Sequence, residues 1–184
     1  MHNRRSIRLK EYDYSQPGAY FVTVCTWRRE NLFGEVLDGE VRLNERGRIV
    51  DECWNEIPEH FPQVELDTFV VMPNHIHGII VIKGNDDVGV GATHASPLRK
   101  KSGPTPKSLG AMVGSFKSAV ARRIQVKFGG TGIWQRNYYE HIIRDEKEWD
   151  LIRRYIESNP DNWEQDEENP GRVLEKGEQG KINV

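Results

Sequence analysis

His75-Ile76-His77 follows directly on Pro73-Asn74 and opens the run His75 to Ile82, HIHGIIVI. Residues two apart on a strand point to the same face. Both imidazoles can therefore reach one divalent metal ion while Ile76 turns the other way. Buried imidazoles need partners, and this pair opens an apolar strand; two ordinary surface or core histidines would give the same string. Tyr155 and Asn159 form a second pair near the end of the last amphipathic segment. Four apart, they share one helical face. The spacing also fits a core-edge tyrosine beside Ile152 and Ile156, with an asparagine that stops the helix before Pro160. Together these groups make one reaction available. Two neutral imidazoles and a neutral amide leave a divalent ion its full charge, able to polarise a phosphodiester and offset charge in the transition state. A tyrosine hydroxyl, which in model peptides titrates at about 10, can then attack phosphorus and form a covalent intermediate. Such a bond keeps the energy of the phosphodiester, so a strand can be rejoined without ATP.

The surrounding elements must position these groups. Gln16-Pro17-Gly18 is turn chemistry, and AYFVTVCT (19–26) after it reads as a strand. Asp38-Gly39 between two short β-prone runs (32–43) marks a hairpin. Asn44 can cap a helix over 45–59 whose apolar residues Ile49, Val50, Cys53, Trp54 and Ile57 fall on one face. Pro58 and Pro62 limit its run. Strands over 64–72 and 75–82, joined at Pro73-Asn74, should pair antiparallel. Residues 84–106 read as a long flexible loop. A basic helix over 108–128 carries Leu109, Met112, Val113, Phe116, Val120 and Ile124 on one face, and Gly129-Gly130 closes it. A fourth strand lies within 133–143. Asp145 caps a last helix that runs to about Ser158. The order predicts an α+β fold, a ferredoxin-like β-α-β-β-α-β sandwich with a central antiparallel sheet, plus a C-terminal helix carrying Tyr155. Such a fold decides no function by itself.

The 184 residues fit one domain with a real core. Cys25 and Cys53 are too few for a disulfide scaffold or a four-cysteine zinc site. No apolar run approaches a membrane span, and the first residues lack the apolar core of a secretory signal. The expectation is a cytoplasmic, single-domain protein without a membrane partner. The net charge of −2 hides a strong asymmetry. Residues 1–10 hold four bases and no acid, and no Asp or Glu occurs between Val88 and Tyr139. From Glu157 to Val184 eight acids face three bases. Solvated faces give such blocks, and so does an electrostatic footprint for nucleic acid, which needs only a local basic surface.

VVMPNHIHGIIVI resembles the HUH motif (His, hydrophobic, His) of single-tyrosine transposases. GIWQRNYYEHIIRDEKEWDLIRRYIESNPDNW is similar to the strand and tyrosine helix of the same family, within it the REP-associated tyrosine transposases. The resemblance covers about Arg8 to Trp163. It implies a ferredoxin-like domain over 1–163, holding the basic loop 84–106, and an acidic tail over 164–184. His75 and His77 would be metal ligands, Asn159 the third, and Mg²⁺ or Mn²⁺ the ion. Mg²⁺ prefers oxygen ligands and imidazole suits later metals, so Mn²⁺ is expected to support activity better in vitro. Tyr155 would be the nucleophile, forming a 5′-phosphotyrosine and freeing a 3′-OH on single-stranded DNA next to a hairpin.

Tyr138 and Tyr139 lie in the fourth strand and have no amide four residues on, so Tyr155 is preferred. His141 shares a face with Tyr139; it reads as a packed strand histidine, with metal support or DNA contact as the alternatives. Lys107, Lys117, Arg122 and Arg123, together with Arg4, Arg5 and Arg8, are the candidate contacts to the DNA backbone, which position DNA without specifying it. Trp134 and Arg136 are candidates for stacking and phosphate contact, and packing is an equal reading of Trp134. The resemblance allows a homodimer that exchanges tyrosine helices as well as a monomer. Two further classes stay open: a nucleic-acid-binding module without turnover, and a metal phosphodiesterase that uses water.

Overall fold

A computed structural model describes residues 12–84 and 107–172. Arg4, Arg5 and Arg8, the 85–106 stretch of the long loop, and 173–184 lie outside the described residues. Strand β1 (Gly18–Cys25) leads through a 3-10 turn (Trp27–Arg29) to a hairpin of β2 (Gly34–Leu37) and β3 (Glu40–Leu43). Asp38 and Gly39 turn that hairpin with φ of 53° and 76°, the left-handed pair a two-residue connection requires. Helices α1 (Glu45–Asn55) and α2 (Ile57–His60) follow, then β4 (Val64–Val71) and β5 (His75–Ile82). Helix α3 (Leu109–Phe128), strand β6 (Tyr139–Ile143) and helix α4 (Glu146–Glu157) complete the order. The single helix expected over 45–59 is broken in two, because Pro58 has no N–H to donate and its ring opposes the carbonyl four residues back.

The main sheet runs β4-β5-β1-β6, and every neighbouring pair is antiparallel. This is the ferredoxin-like α+β arrangement. The pleat divides the side chains. Tyr20, Val22, Val24, Ile76, Ile80 and Ile82 join α1 and α3 in the larger core. From α3 that core takes Leu109, Met112, Val113, Phe116, Val120 and Ile124, the six apolar positions of its helical stripe. Ala19, Phe21, Ile79 and Ile143 face the other way, against Ile152 and Ile156 of α4. The sheet is thus the middle of three layers. Gly78 is required on the helix side: a Cβ there would lie 2.4 Å from a ring carbon of Trp54.

Side-chain caps start the helices. Asn44 accepts from the amides of Arg46 and Gly47, Ser108 from Ala111, and Asp145 from Glu148. A β-bulge fixes α4 on its layer. Between Leu66↔Ile80 and Phe69↔Gly78, Asp67 and Thr68 together stand opposite Ile79. The bulge aims the Asp67 carboxylate at α4, where it accepts from Trp149 Nε1 (2.8 Å) and Arg153 Nε (3.0 Å). At the other edge Glu148 of α4 meets His141 Nε2 at 2.6 Å. No helix among the described residues is long and apolar enough to cross a membrane.

Candidate active site

The tight turn at Pro73-Asn74, closed by Met72 N–H donating to the His75 carbonyl at 2.8 Å, starts β5 at His75. Strand β5 is paired on both sides, so His75 and His77 stand in the sheet interior, 0% and 2% exposed. Their rings are 4.3 Å apart between centroids, on the face that α4 covers. Each has one nitrogen held. The Asn74 amide gives its N–H groups to the carbonyls of Arg29 (3.1 Å) and Glu168 (2.7 Å). Its Oδ1 is therefore the acceptor 2.8 Å from His75 Nδ1. That assigns the proton to Nδ1 and leaves Nε2 a bare lone pair. Burial pushes His75 down to about 3, with Arg29 adding to the effect and the neighbouring Asn159 side chain opposing it, so the ring is neutral at ordinary pH. His77 Nδ1 lies 2.8 Å from the Thr23 hydroxyl, its cross-strand neighbour.

Helix α4 brings Tyr155 to this pair. Ile152 and Ile156 anchor the helix, and Tyr155 projects beside them, with its hydroxyl 3.3 Å from His77 Nε2. Its ring packs edge-on to Phe21 (6.0 Å) and near His77 (5.2 Å). Tyr155 is 47% exposed, so a ligand can approach it from solvent. Asn159, past the helix end, is buried, and its Nδ2 donates to Asp166 Oδ2 at 2.8 Å. Tyr155, Asn159, His75 and His77 are thereby brought into one cluster.

Asp166 is the residue the sequence did not suggest. The acidic segment was expected to tail away after Trp163. Instead its first part, 164–172, is described in place, with Asp166 and Glu168 buried. The physical reason is a set of polar anchors that hydrophobic periodicity does not register. Glu168 pairs with Arg29 at 2.9 Å, accepts from the Cys25 thiol and gives its carbonyl to Asn74. Asn169 Nδ2 donates to the Trp163 carbonyl at 2.8 Å, and Trp163 lies 6.1 Å from the His75 ring. Trp163 itself, an aromatic just beyond the Pro160 helix stop, was the available signal that the chain returns to the protein.

The donor set fits a divalent cation. His75 Nε2 and Asn159 Oδ1 are both buried without a hydrogen-bond partner among the described residues, an arrangement that is unfavourable unless something else satisfies them. His75, His77 and Asp166 offer ligand atoms that all lie within 4.8 Å of one another. Imidazole, amide and carboxylate are ordinary ligands for Mn²⁺-like ions.

The basic candidates separate by environment. Lys107, Arg122 and Arg136 are exposed. Arg123 is engaged by Glu56 at 2.6 Å and by Glu52 at 3.8 Å. Lys117 is turned inward: its ammonium donates to the carbonyl of Gln135 at 2.6 Å and to those of Arg136 and Asn137, and burial lowers it to about 8. Trp134 is a packing residue, wedged between Phe33 and Phe116 with its Nε1 donating to the Lys117 carbonyl. His141 is the strand histidine held by Glu148. Tyr138 packs on the larger core and Tyr139 on Phe21.

No family model matches the chain. An uncharacterized protein of Haemophilus influenzae (strain ATCC 51907 / DSM 11121 / KW20 / Rd) is 45% identical over 171 residues, which is 91% of this chain and 93% of the relative. A second protein of that strain, named "Putative REP-associated tyrosine transposase", is 26% identical over 148 residues, 80% of this chain and 73% of the relative. Among solved structures, a REP-associated tyrosine transposase bound to a REP hairpin superposes with a TM-score of 0.57 at 21% identity, covering 89% of this chain and 74% of that one. The chain is thus related to REP-associated tyrosine transposases in sequence and fold, a likeness that supports a function of the transposase type.

Proposed function

We propose that the protein cleaves and rejoins single-stranded DNA beside a hairpin, with Tyr155 as the nucleophile and His75, His77 and Asn159 as ligands of Mg²⁺ or Mn²⁺. The observation that carries this reading is the Tyr155 hydroxyl 3.3 Å from Nε2 of a buried histidine whose neighbour, His75, presents an unsatisfied nitrogen. When bound, the ion would supply Lewis-acid polarisation of the scissile phosphate. The protein's own groups do the rest. Thr23 and Asn74 hold the two rings by their Nδ1 atoms and so aim the Nε2 atoms into the site. The docking of α4 through Asp67 and Ile156 fixes where the phenol oxygen stands. That oxygen, once deprotonated, forms a bond to phosphorus as the bond from phosphorus to the 3′ oxygen breaks. The leaving oxygen takes up a proton to become the 3′-OH of the upstream fragment, and the downstream fragment stays on the tyrosine through its 5′ phosphate. Attack by a 3′-OH on the phosphotyrosine reverses the step and releases Tyr155. Of the basic residues considered above, the exposed Lys107, Arg122 and Arg136 are the ones open to DNA phosphates.

The test is covalent capture. The protein is mixed with single-stranded hairpin oligonucleotides from the flanks of its own gene, with Mg²⁺ or Mn²⁺, and run on a denaturing gel beside Tyr155→Phe and His75→Ala. A protein–DNA adduct that both variants lose is the expected result. Cleavage that survives Tyr155→Phe would assign the reaction to water or another tyrosine. Binding without any adduct would make the protein a binding module.

A further inference from the structure

We propose that Asp166 is a further ligand of the same metal ion, so that the segment after α4 helps build the site it covers. The inference rests on the proposed reading that His75 and His77 bind a divalent cation. Asp166 Oδ2 lies 4.0 Å from His75 Nε2. That is too long for a hydrogen bond. Two donors each about 2.1 Å from a shared ion can stand up to about 4.2 Å apart, so the gap suits a bridging cation.

The environment of the carboxylate points the same way. Asp166 is buried, with its side chain 3% exposed. A buried carboxylate needs a compensating charge. Glu168, two residues on, has one in Arg29. Among the described residues no Lys or Arg pairs with Asp166. Its neighbours are the Asn159 amide, the Glu168 N–H and the His75 ring. The two hydrogen bonds hold the carboxylate plane from either side and leave lone pairs unused. The same pocket contains the unsatisfied His75 Nε2 and Asn159 Oδ1. One cation would satisfy all three groups.

This set changes the character of the site. Two imidazoles and an amide leave a divalent ion its full charge; a carboxylate takes away one unit. Two oxygen donors beside two nitrogens favour Mn²⁺ and Mg²⁺ over softer ions. The ion would also tie β5, the end of α4 and the segment around Asp166 together.

Metal binding, rather than turnover, is the decisive measurement. Free Mn²⁺ would be followed by its electron paramagnetic resonance signal during titration of the full chain, Asp166→Asn, Asn159→Ala and His75→Ala. Loss of a second-shell partner typically weakens metal affinity 10–100-fold, so loss of this ligand should weaken it by about 100-fold or more. Asp166→Cys, titrated with Co²⁺, should show a thiolate-to-cobalt charge-transfer band that the unaltered chain lacks despite its buried Cys25. A merely structural Asp166 would give no such band, and the band decides the matter should Asp166→Asn fail to fold. Mn²⁺ binding that His75→Ala abolishes and Asp166→Asn leaves within threefold, with no band from Asp166→Cys, would overturn this inference and leave the proposed function standing. Absence of Mn²⁺ binding by the unaltered chain would overturn both.

Discussion

The two faces of the central sheet are built from the same strands and differ in what they carry. On the side of α1 and α3, β1 and β5 present Tyr20, Val22, Val24, Ile76, Ile80 and Ile82, all buried in one continuous apolar core. On the side of α4 the alternate residues of those strands are Phe21, Thr23, Cys25, His75, His77 and Ile79. That face is apolar at one end, where Phe21 and Ile79 meet Ile152 and Ile156, and polar at the other. A side-chain period of two therefore places core and chemistry one residue apart. Among the described residues, the α1 and α3 side buries Trp54 Nε1 without a partner, and the α4 side buries His75 Nε2 and Asn159 Oδ1 in the same state.

The largest expected effect tests the site face alone. Tyr155→Phe removes the attacking oxygen and should lower adduct formation by at least about a thousandfold. Its stability should stay within about 0.5 kcal/mol in a urea melt, because the phenol is half exposed. His77→Ala should lose the adduct similarly. A large loss of stability in Tyr155→Phe would mean that the hydroxyl holds α4 in place, and the division of labour between the faces would fail.

The reverse substitution is Ile76→Ala, between the two histidines in sequence and on the opposite face. It leaves a cavity in the core and should cost about 2–5 kcal/mol. Adduct yield per folded molecule should remain within about threefold of the unaltered protein. Gly78→Ala should cost less, about 1–3 kcal/mol, because the new methyl would meet the Trp54 ring at 2.4 Å and the Phe69 Cβ at 3.0 Å. The clash is with ring atoms that phenylalanine lacks. Trp54→Phe in the same chain should recover part of that loss, seen as a favourable coupling in a double-mutant cycle. Additive losses would place the strain elsewhere.

Much of this division was legible from residues alone. HIHGIIVI coincides with β5, the six apolar positions of α3 are its buried ones, and Asn44 and Asp145 cap helices as their types suggest. These signals are local: periodicity, caps and turn residues. The convergence of Tyr155 and Asn159 on the histidines was readable only through family resemblance, since nothing in their spacing says which sheet face α4 covers. Asp166 and Glu168 escaped because an acidic run without apolar anchors looks solvated until Arg29, Asn74 and Asn159 are seen beside it. Type and charge leave Lys117 open as a DNA contact and Trp134 open between stacking and packing; only the fold shows the backbone carbonyls and core aromatics that surround them.

The smallest expected effect sharpens the comparison through pH. The α1 and α3 side of the sheet is held chiefly by apolar contacts, which do not titrate, with the Arg123–Glu56 pair at its surface. The docking of α4 depends in part on one carboxylate. Burial raises the Asp67 carboxyl, but hydrogen bonds from Arg153, the Thr68 amide, Trp149 and the Thr68 hydroxyl outweigh it and hold the group well below the usual carboxylate range. A folded value below the unfolded one, about 3.9, means that the ionised group stabilises the fold fully above about pH 5. That contribution declines as pH falls past the unfolded value and is gone below the folded one. Asp67→Asn should therefore cost about 1–3 kcal/mol at pH near 7, since Trp149 Nε1 loses a charged acceptor. The gap between variant and parent should narrow by roughly 1 kcal/mol at pH near 3. Hydrogen exchange should locate the acid-sensitive protection in α4 and leave α3 unchanged. A gap that stays constant with pH would assign the role of Asp67 to the bulge backbone, where it accepts from the Thr68 amide, and α4 would then be held, like α1 and α3, mainly by packing.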